Sequence, residues 1–93
     1  SSFAKDCGYI VVIGKFLRVD EVSTNFPYNQ ISCVVNRRVM KRYLRRSRGK
    51  NKHLTIFHEY HCSKSRPDGQ GWEYHCLASY RGYYEDIGAG RRF

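Results

Sequence analysis

Carboxylates, prolines and long apolar runs are all scarce in this chain of 93 residues. Eight Asp and Glu stand against 17 Lys and Arg, giving a formal charge of +9 and a pI near 9.7. So few acids disfavour a cationic partner and favour an anionic one: nucleic acid, an anionic membrane or an acidic protein face. The longest wholly apolar run, Tyr9-Ile10-Val11-Val12-Ile13, falls far short of the ~20 residues that a bilayer-spanning helix needs. No internal repeat and no low-complexity tract occurs, which argues against a solenoid and against a disordered linker. With neither an initiator Met nor a hydrophobic leader, Ser1 is expected to begin a processed chain.

What is present suits one small α+β domain. A chain of this length buries only about 60–65% of its unfolded surface, and such domains often carry covalent staples. Cys7, Cys33, Cys62 and Cys76 supply an even number of thiols, so two disulfides and an oxidising, extracellular compartment are expected. Four cysteines allow three pairings. If Cys62 faces Trp72 across the loop between them, Cys76 lies opposite His58, ~13 Å along the strand from Cys62. That exceeds the ~7 Å Cα limit for a bridge and disfavours the Cys62–Cys76 pair.

Cys7 to Val19 reads as a hairpin, with Tyr9 to Ile13 rich in β-branched residues, a turn at Gly14-Lys15, and Phe16-Leu17-Arg18-Val19 resuming. Asp20 to Asn29 holds Phe26-Pro27 and reads as a loop or edge. Asn29 to Ser47 is the helical segment, with Asn29 as its cap and Gly49 just past its end. At about 100° per residue, Val35, Val39, Met40, Tyr43 and Leu44 share a side with Cys33, and Arg37, Arg38, Lys41 and Arg45 take the other. The remainder reads as β: a strand from Leu54 to Cys62, a loop from Ser63 to Gly71, and a strand from Trp72 to Ser79. A turn at Tyr80-Arg81 leads to a strand from Gly82 to Ile87, and Gly88 to Arg92 reads as a frayed end. The result is one basic amphipathic helix packed on an antiparallel β-sheet.

The cationic tract is the main functional signal. From Arg37 to Lys52 nine of sixteen residues are Lys or Arg, and no acid occurs between Glu21 and Glu59. Arg37, Arg38, Lys41 and Arg45 lie on a helix face, and Arg48, Lys50 and Lys52 continue into the next loop. Such a stripe neutralises phosphates by charge and counterion release, without base contacts. RNA and an acidic protein surface both fit it. The competing reading is a solvated face that keeps a small secreted domain soluble.

Three other constellations compete. Glu59 with His61 or His75 across a sheet would make a metal-independent ribonuclease: a carboxylate takes the 2′-hydroxyl proton and an imidazole protonates the departing oxygen. A cation would then stabilise the phosphorane. His61-Cys62 and His75-Cys76 are doublets of zinc-ligating types. Neighbours on a strand point oppositely, so one doublet does not place both members on one ion, and no metal or other cofactor is expected. A cationic, disulfide-stapled antimicrobial is the third reading. Its helix needs the same apolar face to cover the sheet, so neither membrane insertion nor a membrane span is expected.

Phe57-His58-Glu59-Tyr60, the loop end Gly69-Gln70-Gly71, Trp72 to Ser79, and Arg81-Gly82-Tyr83-Tyr84-Glu85-Asp86-Ile87 form an ordered series. With Cys7 near the start, this series resembles the RNase-like secreted effectors of powdery mildew fungi, the RALPH group, over about two fifths of the chain. The resemblance implies the fold of small microbial ribonucleases. It also implies delivery into plant cells, to the cytoplasm or nucleus, where the protein binds RNA or a host protein. Some members of the group are detected by intracellular plant immune receptors of the NLR class. Enzymes of the parent fold keep a strand Glu, a strand Arg and a late His. Glu59 occupies the Glu position as a vestige, the Arg position falls near Glu73 or Tyr74, and the His position near Asp86 or Ile87. The resemblance thus implies a pseudo-ribonuclease without catalytic residues.

Overall fold

The computed structural model describes residues 3–23, 32–48, 50, 53–66, 71–80 and 83–90. The chain runs through β1 (Phe3–Val12), β2 (Lys15–Ser23), α1 (Cys33–Ser47), β3 (Leu54–Ile56), β4 (Tyr60–Ser65), β5 (Glu73–Tyr80) and β6 (Tyr83–Gly90). All six strands form one antiparallel sheet in the order β1-β2-β6-β5-β4-β3. The β1–β2 hairpin sits at one edge. The chain then crosses to the far edge and returns as a meander that ends with β6 against β2. Helix α1 makes that crossing over one face of the sheet. Fifteen helical residues span about 22 Å, and five interstrand gaps span about 24 Å, so the helix covers nearly the width of the sheet. This is the expected α+β architecture of a helix packed on an antiparallel sheet. Among the described residues no helix is long and apolar enough to cross a membrane.

Alternation along the strands sets the core. Ile10, Val12, Leu17, Val19, Ile56, Tyr74, Ile87 and Ala89 face the helix, which answers with Val39, Met40, Tyr43 and Leu44. Tyr43 meets Tyr74 edge to face with ring centroids 6.4 Å apart, a geometry aromatic pairs favour. Burial pushes the Tyr43 phenol up to about 12. On the helix, Val35 does not join this core and is partly exposed, while Asn36 is fully buried in its place. Asn36 donates to Glu21 Oε2 at 2.7 Å, a buried polar contact that an apolar periodicity does not register.

The hairpin turn is Ile13-Gly14, with φ of 47° and 74°, one residue earlier than expected. Farther along, the β1–β2 register shifts between Asp6 and Tyr9, where Gly8 adopts φ 79° and donates its N–H to Asp6 Oδ1 at 2.8 Å. This bulge inserts one residue, so Cys7 and Ile10 both point inward although three positions apart. Cys7 thereby reaches Cys33 in the first turn of α1, with Cα atoms 5.0 Å apart, and the two are disulfide-bonded. The cap of α1 is Ser32, whose Oγ accepts from the Val34 N–H at 3.1 Å. Asn29, expected in that role, lies outside the described residues. Arg48, at φ 53°, takes the left-handed position that ends the helix.

Further expectations are overturned. Asp20 to Ser23, read as loop or edge, continues β2 as an inner strand paired with both β1 and β6, and Ser63 to Ser65, read as loop, belongs to β4. The strand read from Leu54 to Cys62 is two strands, because Phe57 and His58 turn the chain with φ of 55° and 61° and the Glu59 N–H closes on the Ile56 carbonyl at 3.2 Å. Glu59 therefore sits in a turn and not on a strand. Splitting that strand also changes the register: Cys62 faces Cys76 and not Trp72. Their Cα atoms are 4.0 Å apart and the disfavoured Cys62–Cys76 disulfide forms. Finally, Gly88 to Gly90 is not frayed. It pairs with β2 on one side and β5 on the other, where Ala89 fits opposite the large Tyr74 ring.

Candidate nucleic-acid interface

The outward face of α1 borders an open surface groove of ≈ 620 Å³. Six cations line it, Arg37, Arg38, Lys41, Arg42, Arg45 and Arg46, together with Val34 and Phe57. No carboxylate is among these lining residues. Cationic doublets at positions 37–38, 41–42 and 45–46 recur every four residues. At 3.6 residues per turn that period stacks them along one side.

Four of the expected binding residues, Arg37, Arg38, Lys41 and Arg45, are brought together here. Arg37 also donates from Nη1 to the Cys7 carbonyl at 2.8 Å, tying the basic face to the β1 bulge. Arg48 and Lys50 are exposed beyond the helix and are not groove-lining. Lys52 lies outside the described residues. The sequence reading missed Arg42, Arg46 and Phe57. The period-four doublets point to the two arginines. Phe57 arrives only through the β3–β4 turn, and its ring lies under the Arg42 guanidinium, 5.3 Å from carbon to centroid.

Negative charge gathers on the other side. Asp6, Asp20, Glu73 and Asp86 occupy strand positions on the sheet face away from α1. Asp6 pairs there with Arg18, whose guanidinium and the Gly8 N–H hold its carboxyl below the usual range. His75 sits between two carboxylates on the same face, Nδ1 at 3.1 Å from Asp86 and Nε2 at 3.4 Å from Glu73. The Asp86 contact, reinforced by Glu73, raises its pKa against a partial desolvation penalty. His61 is exposed and contacts Thr55 Oγ1 through Nδ1 at 3.4 Å. In the two His-Cys doublets the cysteines face inward and are bonded to each other, while the histidines face outward.

Under the helix lies a second group of polar side chains. Glu21, Ser23, Asn36 and Glu85 are all buried. The Lys5 ammonium stands 3.2 Å from Glu21 Oε2, and Tyr60 donates to Glu85 Oε2 at 3.4 Å. Burial and the nearby Glu21 carboxylate push Glu85 up to about 7. Comparison of the chain with protein-family models, with curated proteins and with solved structures finds no match.

Proposed function

We propose that this protein is a secreted effector with a ribonuclease-like fold that binds RNA through the outer face of α1 and does not cut it. The observation that carries this reading is the groove of six cations with no carboxylate in its lining. Side chains on one helix at i and i+4 are neighbours, and like charges there cost about 0.2–0.5 kcal/mol per pair. Arg37/Lys41, Arg38/Arg42, Lys41/Arg45 and Arg42/Arg46 make four such pairs, so the free helix carries about 1–2 kcal/mol of self-repulsion. A bound polyanion removes that cost. A solvated face would need no such crowding.

The geometry of the other polar groups supports binding over cleavage. Glu59 stands in an exposed turn, and both ring nitrogens of His75 already face carboxylates. A general acid needs a ring nitrogen within reach of the departing oxygen. The two disulfides support folding in an oxidising, secretory compartment.

Incubation with RNA is expected to show retention without hydrolysis. Four to six phosphate contacts give a slope of about −3 to −4 for log K against log salt on single strands. Hydrolysis that disappears with Glu59→Ala or His75→Ala overturns the non-enzymatic reading, and salt-independent retention overturns the phosphate reading. Delivery into plant cells and detection by an NLR receptor belong to the same proposal. Coexpression with candidate plant receptors, scored for cell death, tests them.

A further inference from the structure

Phe57 is the one aromatic ring lining the cationic groove, and it is 43% exposed. It is held there at a conformational cost. Phe57 and the following His58 both adopt positive φ, 55° and 61°, a pair of conformations that glycine or asparagine would meet with less strain. Backbone strain of this kind persists where the surroundings enforce it and is concentrated at functional sites. The exposed Trp72 ring also carries cations, Lys64 at 4.2 Å and Arg66 at 5.5 Å, but it does not line the groove. Over Phe57 the cation is Arg42, itself a groove residue.

We infer that Phe57 is a stacking platform for an unpaired base, so that the ligand of the basic groove is single-stranded RNA and not a duplex or an acidic peptide. The inference rests on the RNA-binding reading above and narrows it. Phosphates lie along Arg38, Lys41 and Arg45, and one base takes the place of the Arg42 guanidinium over the Phe57 ring, freeing that arginine for a phosphate. Aromatic platforms accept every base because each has a π-face. Bases inside an A-form duplex are stacked on one another and do not reach such a ring. The groove itself reads charge, and the ring separates a nucleic acid from any other polyanion.

Fluorescence anisotropy with a short labelled poly(U), an RNA duplex of equal length, inorganic polyphosphate and a poly-glutamate peptide tests this. Poly(U) is expected to bind most tightly. One stacked base is worth roughly 1–3 kcal/mol, a factor of about 5 to 150 in affinity. Phe57→Leu, which keeps apolar bulk but no π-face, is expected to weaken poly(U) by that factor and leave its salt slope and the polyphosphate affinity unchanged. Phe57→Trp is expected to retain poly(U) binding. Phe57→Gly relieves the positive φ, so it is expected to weaken poly(U) while raising the urea midpoint; a lowered midpoint marks the ring as a structural prop and overturns the inference. Duplex or poly-glutamate binding equal to poly(U), or poly(U) binding indifferent to Phe57→Leu while Arg38→Ala/Arg45→Ala weakens it, overturns the platform and leaves the basic face standing. If the wild type retains none of the four probes, both readings fall together.

Discussion

Replacing Glu85 with Gln is expected to stabilise the fold at neutral pH and leave it unchanged in acid. Glu85 is fully buried on β6 beneath α1. The Tyr60 hydroxyl from β4 donates to it, and the charges of Glu21 on β2, Lys5 on β1 and Glu59 in the β3–β4 turn act on it. Burial dominates and Glu21 adds to it, moving the carboxyl from an ordinary 4.5 up to about 7. The unfolded chain therefore releases this proton first. Between about pH 4.5 and 7 the folded state holds the extra proton, so stability is full at the acid end and falls as pH rises. A span of roughly 2.5 pH units at 1.36 kcal/mol each amounts to about 3 kcal/mol, a large share of a small domain's stability. Glu85→Gln removes the titration while keeping the shape. Urea unfolding followed by far-ultraviolet circular dichroism from pH 4.5 to 8.5 reads the effect as the gap between variant and wild type. The gap should be near zero at pH 4.5, open through pH 7 and then level off. A gap that stays constant with pH refutes the reasoning, because the variant lacks the Glu85 titration that should open it.

Further outcomes follow from the same structure. Ile13, β-branched at φ 47° in the first hairpin, is expected to gain about 1 kcal/mol on replacement by Gly, read as a raised urea midpoint. Loss of Cys62–Cys76 by paired Ser substitutions is expected to cost about 3 kcal/mol, and loss of Cys7–Cys33 about 3.5, from the loops of 14 and 26 residues they close. Peptide mapping that finds any other pairing refutes both figures. Asp86→Asn is expected to bring the His75 titration midpoint down in an NMR pH series, since Asp86 is the main cause of its raised pKa. A midpoint that does not move assigns the shift to Glu73 instead.

Much of the architecture is legible in the chain because local patterns and global packing agree over most of it. The β1–β2 hairpin announces itself in Tyr9 to Val19, and Val39, Met40, Tyr43 and Leu44 mark the buried side of α1. The errors gather where a local rule met a tertiary constraint. Phe57-His58 lacks glycine, asparagine and proline, so nothing in the residue types announces a tight turn there. That turn displaces the expected register of β4 on β5, takes Glu59 off the strand and brings together the disfavoured Cys62–Cys76 pair. Gly88-Ala89-Gly90 has poor strand propensity, yet a place between two partner strands orders it.

The order of residues alone determined the charge, the number of thiols and the basic stripe on a helix. These depend on composition and on a fixed helical period, both of which are local. Only the tertiary structure decided which cysteines meet, that Phe57 stands at the lip of the basic groove, and that His75 is enclosed by Asp86 and Glu73. Each of those depends on strand register, and register is set by the sum of contacts across the whole sheet, where one residue of slip turns every side chain to the other face.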